Sequence, residues 1–321
     1  MTITHLVTHS GGFHADELLS SVVLTRLFPQ ARIVRTRDAA WITPAPGRVI
    51  YDVGRDHDPD RLIFDHHQQN PPLRADGRPF SSFGLIWGRF GRDYLAALAV
   101  PAADLDAVHA EFDADFVLPI DLVDNGALSP SGLLADLSLP MLLESLKPVF
   151  DDRGPEAEDQ AFHRALAIAR AFVEAAIARK AAKRRAEGVV IAAIAAAGTG
   201  RVLELPMGMP FRAAIDKAGA DHLLFVIHPR DRDWAITGIR REPEGFALRA
   251  DLPRAWAGLT DTAFEAVSGV PGALFCHNAC FIAVAANRQA ALQLAMIAVR
   301  SGEVPVADKC NSVCRPRLQT H

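Results

Sequence analysis

Four short stretches in the first 126 residues of this chain put carboxylates and imidazoles at the ends of apolar segments: "THSGGFHADE", "YDVG", "FDHHQ" and "DLVDNG". They supply His9, His14, Asp16, Asp52, Asp65, His66 and His67, with Asp121 and Asp124 in the last stretch. Crowded carboxylates repel and raise one another's pKa, a conflict that a divalent cation removes. Imidazole and carboxylate without thiolate suit two divalent cations, Mn²⁺ first and Mg²⁺ as the alternative, better than structural zinc. Two such ions, roughly 3.5–4 Å apart, split a phosphodiester by clamping the attacking and leaving oxygens. Each piece also has an ordinary reading. Asp16 and Ser81 qualify as helix caps, and an Asp-x-Gly sequence marks many turns. What favours a metal site is the set, in order, at segment ends.

The elements that must position these groups are legible as alternating strands and helices. "ITHLVT", "ARIVRT" and "RVIYDV" are rich in branched apolar residues and bounded by turn formers, and "RLIF" is a shorter strand. Helical stretches follow, including "DELLSSVVLTRLF" and "SSFGLIWGRFGRDYLAALA". This alternation predicts an α/β fold with a parallel sheet covered by helices. If the first, third and fourth strands are parallel neighbours, the ligands converge on their carboxyl rim. Residues 1–150 then form the domain that carries these groups. A linking helix occupies 151–188, with Pro155 near its start and Gly188 near its end. A smaller α/β domain follows over 189–302, and a tail over 303–321.

Composition narrows the function classes. The 321 residues are 50% hydrophobic and 22% charged, with a net charge of −4. That is a globular composition without the basic excess of an indiscriminate DNA-coating protein. No stretch approaches the roughly 20 apolar residues that span a bilayer, and no basic segment opens the chain as a signal peptide would. A cytoplasmic protein without membrane partners is expected. The four cysteines, at 276, 280, 310 and 314, are too few for a disulfide framework and too loosely spaced for ordinary structural zinc. The run "RKAAKRR" from Arg179 reads as a solvated helix face. Trp234 and Trp256 could stack on bases, but packing is the simpler expectation.

The pieces "HSGGFHADE", "YDVGRDHDP", "FDHHQ", "SSFGL" and "IDLVDNG", in that order, resemble the melanocyte proliferating gene (MYG) family. That family falls within the DHH phosphoesterase superfamily, beside RecJ-type nucleases and family II inorganic pyrophosphatases. The resemblance continues through "LELPMGMPFRAAI", "VIHPR", "PRAWAGL" and "VSGVPGALFCH". It implies a DHH-type catalytic domain, a second domain that closes the cleft, and exonuclease action on RNA. It also implies that His9, His14, Asp16, Asp52 and His66 are metal ligands, with Asp52 bridging two ions. His67 would face the phosphate and Asp65 would orient a histidine. The last ligand is ambiguous between Asp121 and Asp124, with Asp124 favoured. Ser81, Arg35, Arg230 and His277 are candidates for contact with substrate, as is Arg37. Ser10 and His57 replace the family's usual Asn and aromatic residue, and "CFIAVAAN" lacks a usual glycine pair. The last departure bears on substrate contacts in the second domain.

Three functions therefore compete. The first is a Mn²⁺-dependent exonuclease acting on RNA or short oligonucleotides. The second is a small-molecule phosphatase acting on pyrophosphate or a cyclic dinucleotide. The third is a non-catalytic metal- or nucleotide-binding protein. A homo-oligomer is compatible with the sequence.

Overall fold

A computed structural model describes residues 2–303, apart from 153, 155, 243 and 244. The chain divides into two compact units, with the division between Ala182 and Lys183. The first unit begins with β1 (His5–Thr8), α1 (Ala15–Leu27), β2 (Arg32–Arg35), α2 (Ala39–Ile42), β3 (Arg48–Tyr51), β4 (His57–Asp58) and β5 (Ile63–Phe64). Helices α3 (Ser82–Ala97), α4 (Leu105–Phe112), α5 (Leu118–Asp124), α6 (Leu139–Glu144) and α7 (Ala157–Ala197) follow. The sheet order is β2-β1-β3-β5-β4, with β1 parallel to both β2 and β3, and β3 parallel to β5. The three strands expected to be parallel neighbours are so.

This sheet is buried on both faces, which is why its strands read as continuous apolar runs. Side chains alternate across a strand. Leu6, Val49, Tyr51 and Phe64 join the large core with α1, α3 and α7, while Val7, Ile50 and Ile63 pack on the other side with Trp41 and Ile42 of α2. Helix α1 is buried from Ala15 to Leu24, so the polar groups of its first turn are buried with it. Strand β4 has no apolar signature; it exists through antiparallel pairing of His57 with Phe64.

Helix α7 does not end near Gly188. It runs on to Ala197, because Val190, Ala193, Ile194 and Ala197 continue an apolar stripe that packs on Leu203, Ile215 and Val226. Gly188 is exposed with open space around it, and the cost of one glycine, about 1 kcal/mol, is offset by that stripe.

The second unit contains β6 (Val202–Glu204), α8 (Arg212–Lys217), β7 (Phe225–Pro229), β8 (Trp234–Gly238), α9 (Asp261–Ser268), β9 (Ala273–Cys276), β10 (Ile282–Ala285) and α10 (Arg288–Glu303). Its sheet order is β6-β7-β8-β10-β9; only β6 and β7 run parallel. Trp256 is buried against Phe264, as packing rather than base stacking requires. Cys276 and Cys280 are buried free thiols; Cys310 and Cys314 lie outside the described residues. Among the described residues, no helix is long and apolar enough to cross a membrane.

Candidate metal centre

The site lies at the carboxyl edge of the first sheet. Strand β1 delivers His9 one residue past its end, and β3 delivers Asp52 in the same way. Asp52 has φ 53°, a left-handed conformation that non-glycine residues adopt under strain. The turn holds because the Asp52 N–H donates to the Phe64 carbonyl at 3.1 Å. One carboxylate oxygen of Asp52 lies 3.2 Å from His9 Nε2, and the other lies 3.5 Å from His66 Nε2. Asp52 therefore stands between two imidazoles, where a bridging carboxylate would have to be.

Two groups of ligands sit on either side of it. His9, His14 and Glu17 offer ligand atoms within 4.8 Å of one another, and so do Asp16, His66 and Asp124. His66 Nε2 is 3.2 Å from Asp124 and 3.6 Å from Asp16. A third group joins Asp52 and His66 to Asp65 and His67. All six residues expected as metal ligands fall in these three groups; the last two share His66, and the first meets them through the His9–Asp52 contact.

Glu17 is the addition. It is fully buried, with Oε1 3.0 Å from His9 Nε2, and its carboxylate accepts the His14 N–H at the start of α1. An acidic residue three positions past a helix N-cap reads as a capping box, which hides a second role. The sequence signal was the unbroken Asp-Glu pair at 16 and 17.

The two aspartates of α5 part company despite their helical spacing. Asp121 is buried; it binds Arg74 at 2.6 Å and accepts hydrogen bonds from the Ser81 N–H and hydroxyl. Gly84 allows this approach, since a Cβ there would lie 2.5 Å from the Asp121 carboxylate. Asp124, at the end of the helix, turns to His66.

Ser81, a candidate for substrate contact, is turned inward toward two carboxylates. It is buried, and its hydroxyl lies 2.9 Å from Asp16 and 2.8 Å from Asp121, with its one proton shared between them. Asp16 in turn accepts the Ser82 N–H at 3.0 Å and the Phe83 N–H at 2.5 Å, so it caps α3 rather than its own helix. Arg35 is likewise withdrawn. Its guanidinium binds Asp159 and the Gly11 carbonyl with only 2% of the side chain exposed, and it stacks over Phe162. It fixes the glycine turn instead of offering charge to phosphate. Arg230 pairs with Asp233 at 3.1 Å, and His277 Nδ1 accepts the Ala279 N–H; both belong to the second unit.

Asp65 organises the pair of histidines. Its Oδ1 accepts the His66 N–H and lies 2.7 Å from His67 Nδ1, while Oδ2 accepts the Arg55 N–H at 2.6 Å. His67 Nε2 has no partner among the described residues, and His67 lines a cavity of about 610 Å³ with His9, His14, Asp52 and Asp124.

Electrostatics give the test of whether these residues suit a cation. Burial, with Asp124 and Asp52 nearby, pushes Asp16 well above the usual carboxylate range. Burial also raises Asp124, to about 7, against the attraction of His66. Burial opposes the charge on His9, yet Asp52 and Glu17 lift its pKa to about 10. Burial would raise Asp52, but the His66 and His9 imidazoles hold it at about 2. Asp52 Oδ1 and His66 Nε2 are buried without a hydrogen-bond partner, an expensive state for polar atoms. Divalent cations answer both conditions, and the residues fit them.

The family model MYG1_exonuc, described as Uncharacterised protein family (UPF0160), matches residues 5–299. The chain belongs to this family. MYG1 exonuclease of Homo sapiens is 32% identical over 327 residues, which cover 90% of this chain and 84% of the human protein. MYG1 exonuclease of Rattus norvegicus is 30% identical over 347 residues, covering 94% of this chain and 86% of that protein. MYG1 protein YER156C of Saccharomyces cerevisiae is 27% identical, covering 92% and 95%. The MYG resemblance carried by the short motifs therefore holds along the chain. Among solved structures, exonuclease RecJ bound to manganese is 16% identical, covering 94% of this chain and 91% of its own, with a TM-score of 0.27. RecJ of Thermus thermophilus in complex with Mn²⁺ is 13% identical, with coverage of 92% and 52% and the same TM-score of 0.27. Superpositions that poor carry no residue of the site across.

Proposed function

We propose that this chain is a divalent-cation-dependent phosphodiesterase that releases nucleotides from the end of RNA or a short oligonucleotide. One observation carries the reading: a single carboxylate, Asp52, lies between two imidazoles that each head a separate ligand group. His9, His14, Glu17 and Asp52 would hold one cation; Asp16, Asp52, His66 and Asp124 would hold the other. Manganese or magnesium suits this mixture of oxygen and imidazole donors. When bound, the cations supply Lewis acidity and neutralise the carboxylates.

The chain's own groups do the rest. Asp65 is kept below the usual carboxylate range, against the effect of burial, by His67 and the Arg55 N–H. It therefore accepts from His67 Nδ1–H and fixes the ring. The hydrogen bond to Asp65 in turn raises the pKa of His67. Its Nε2–H is then available to donate to a phosphoryl oxygen as negative charge builds there. The exonuclease name carried by the mammalian relatives supports removal from an end. The test is incubation with end-labelled RNA and DNA, pyrophosphate and cyclic dinucleotides, each with Mn²⁺, Mg²⁺ or EDTA. Cation-dependent release of mononucleotides is expected. Orthophosphate from pyrophosphate alone would assign a small-molecule phosphatase instead.

A further inference from the structure

The cavity above the candidate centre is larger than one phosphate requires. At about 610 Å³ it lies within the roughly 300–1,000 Å³ of pockets that enclose whole ligands. Two arginines line it, Arg37 and Arg55. Arg37 follows β2 and Arg55 follows β3, the strands on either side of β1, so the two flank the strand that delivers His9. Neither guanidinium has a carboxylate partner among the described residues, whereas Arg35, Arg61 and Arg74 of the same unit each reach one.

The placement of Arg55 is fixed. Its N–H donates to Asp65, the carboxylate that orients His67, so its backbone is tied to that histidine. Its φ is 57°, where glycine would be the unstrained choice. A long cationic side chain therefore emerges from a strained turn beside the centre. The remaining wall is mostly apolar, with Ile42, Val53, Ile120 and Met141; its one further carboxylate, Glu144, is paired with Lys147 at 3.0 Å. Among the described residues, the lining has no aromatic ring apart from imidazole. Base stacking, the usual sequence-tolerant grip on single strands, has no Phe, Tyr or Trp in this wall, so charge meeting the backbone is the stronger grip it offers.

We propose that Arg37 and Arg55 bind the non-scissile phosphates next to the bond that is cleaved, which makes the substrate a single-stranded oligonucleotide read through its backbone. This deepens the phosphodiesterase reading and rests on it. Arginine suits the role because its planar fork meets two phosphate oxygens at once. Arg37 and Arg55 are positioning and binding residues; they do not touch the reacting atoms.

The test measures binding rather than turnover. Fluorescence anisotropy with phosphorothioate di-, tri- and pentanucleotides gives affinity against phosphate number for the full chain, Arg37→Gln, Arg55→Gln and the double variant. Affinity of the unaltered chain should rise with each added phosphate. Each single change should weaken the pentanucleotide about tenfold, the size of one lost charge-assisted contact, and should affect the dinucleotide less. The slope of log affinity against log salt should fall by about 0.7 per arginine, as for single strands. Calorimetry with Mn²⁺ alone should give unaltered cation binding, showing that the fold and centre are retained. Equal weakening at every length, or no weakening, overturns the proposal. Length-dependent binding without any hydrolysis would instead overturn the phosphodiesterase reading and leave the arginine assignment standing.

Discussion

Asp52 Oδ1 and His66 Nε2 lie 3.5 Å apart, and both are buried without a hydrogen-bond partner. Two polar atoms left this way next to a strained φ of 53° mark a place where the fold gives up stability for a ligand. Asp52→Asn keeps the volume and tolerates the left-handed backbone, but removes the charge between the two imidazoles. Loss of a group that only orients a metal ligand costs about 10- to 100-fold in metal affinity, and loss of a carboxylate proposed to serve both cations should cost more than about 100-fold. Titration calorimetry with Mn²⁺, with far-ultraviolet circular dichroism as the fold control, checks this.

Protons and cations compete for the same lone pairs. His9 is raised from 6.5 to about 10, and Asp124 from 3.8 to about 7, in the cation-free centre. A folded-state pKa above the unfolded one means that the folded state binds more protons between the two values. The His9 contribution is complete below about pH 6.5 and lost towards pH 10; that of Asp124 is lost between about pH 4 and 7. Cation-free protein should therefore lose stability from these groups as pH rises above 4. Stabilisation by added Mn²⁺ should grow over the same range. Thermal midpoints with EDTA and with Mn²⁺, from pH 5 to 9, measure both trends.

Asp65 holds His67 through a 2.7 Å contact and accepts three backbone N–H groups. Asp65→Asn should lower kcat by about 10- to 100-fold, the usual cost of removing an orienting partner, while the number of bound cations stays the same. Parallel measurements of turnover and metal content separate this from loss of a ligand.

Arg74 bridges Asp113 and Asp121, and Asp121 is fully buried. Arg74→Met leaves that carboxylate uncompensated and should cost about 3–5 kcal/mol in urea unfolding. Ser81 ties Asp121 to Asp16, so the loss should also reach cation binding. Restoring stability with Asp121→Asn in the Arg74→Met background would support this route.

The amino-acid order carried the sheet and most of the centre, for identifiable reasons. Strands β1 and β3 are legible because burial on both faces demands unbroken apolar runs, and their ends are where His9 and Asp52 must stand. Strand β4 is not, because His57 and Asp58 become a strand only by pairing with β5. Arg35 and Arg37 look equivalent in sequence. Arg35 ends a strand beneath the glycine turn and is claimed by Asp159, while Arg37, two residues further, reaches the cavity. Asp121 and Asp124 share a helix, and only tertiary contacts with Arg74 and His66 separate them. Ser81 and Glu17 were obscured by capping, the commonest role of their residue types at those positions.

The most direct measurement is an anomalous difference map from crystals soaked in Mn²⁺. Two peaks are expected, one beside His9, His14 and Glu17, the other beside Asp16, His66 and Asp124, with Asp52 touching both. Crystals that bind manganese elsewhere, or show no peak within coordination distance of Asp52, would contradict the assignment of this cluster as a paired-cation centre.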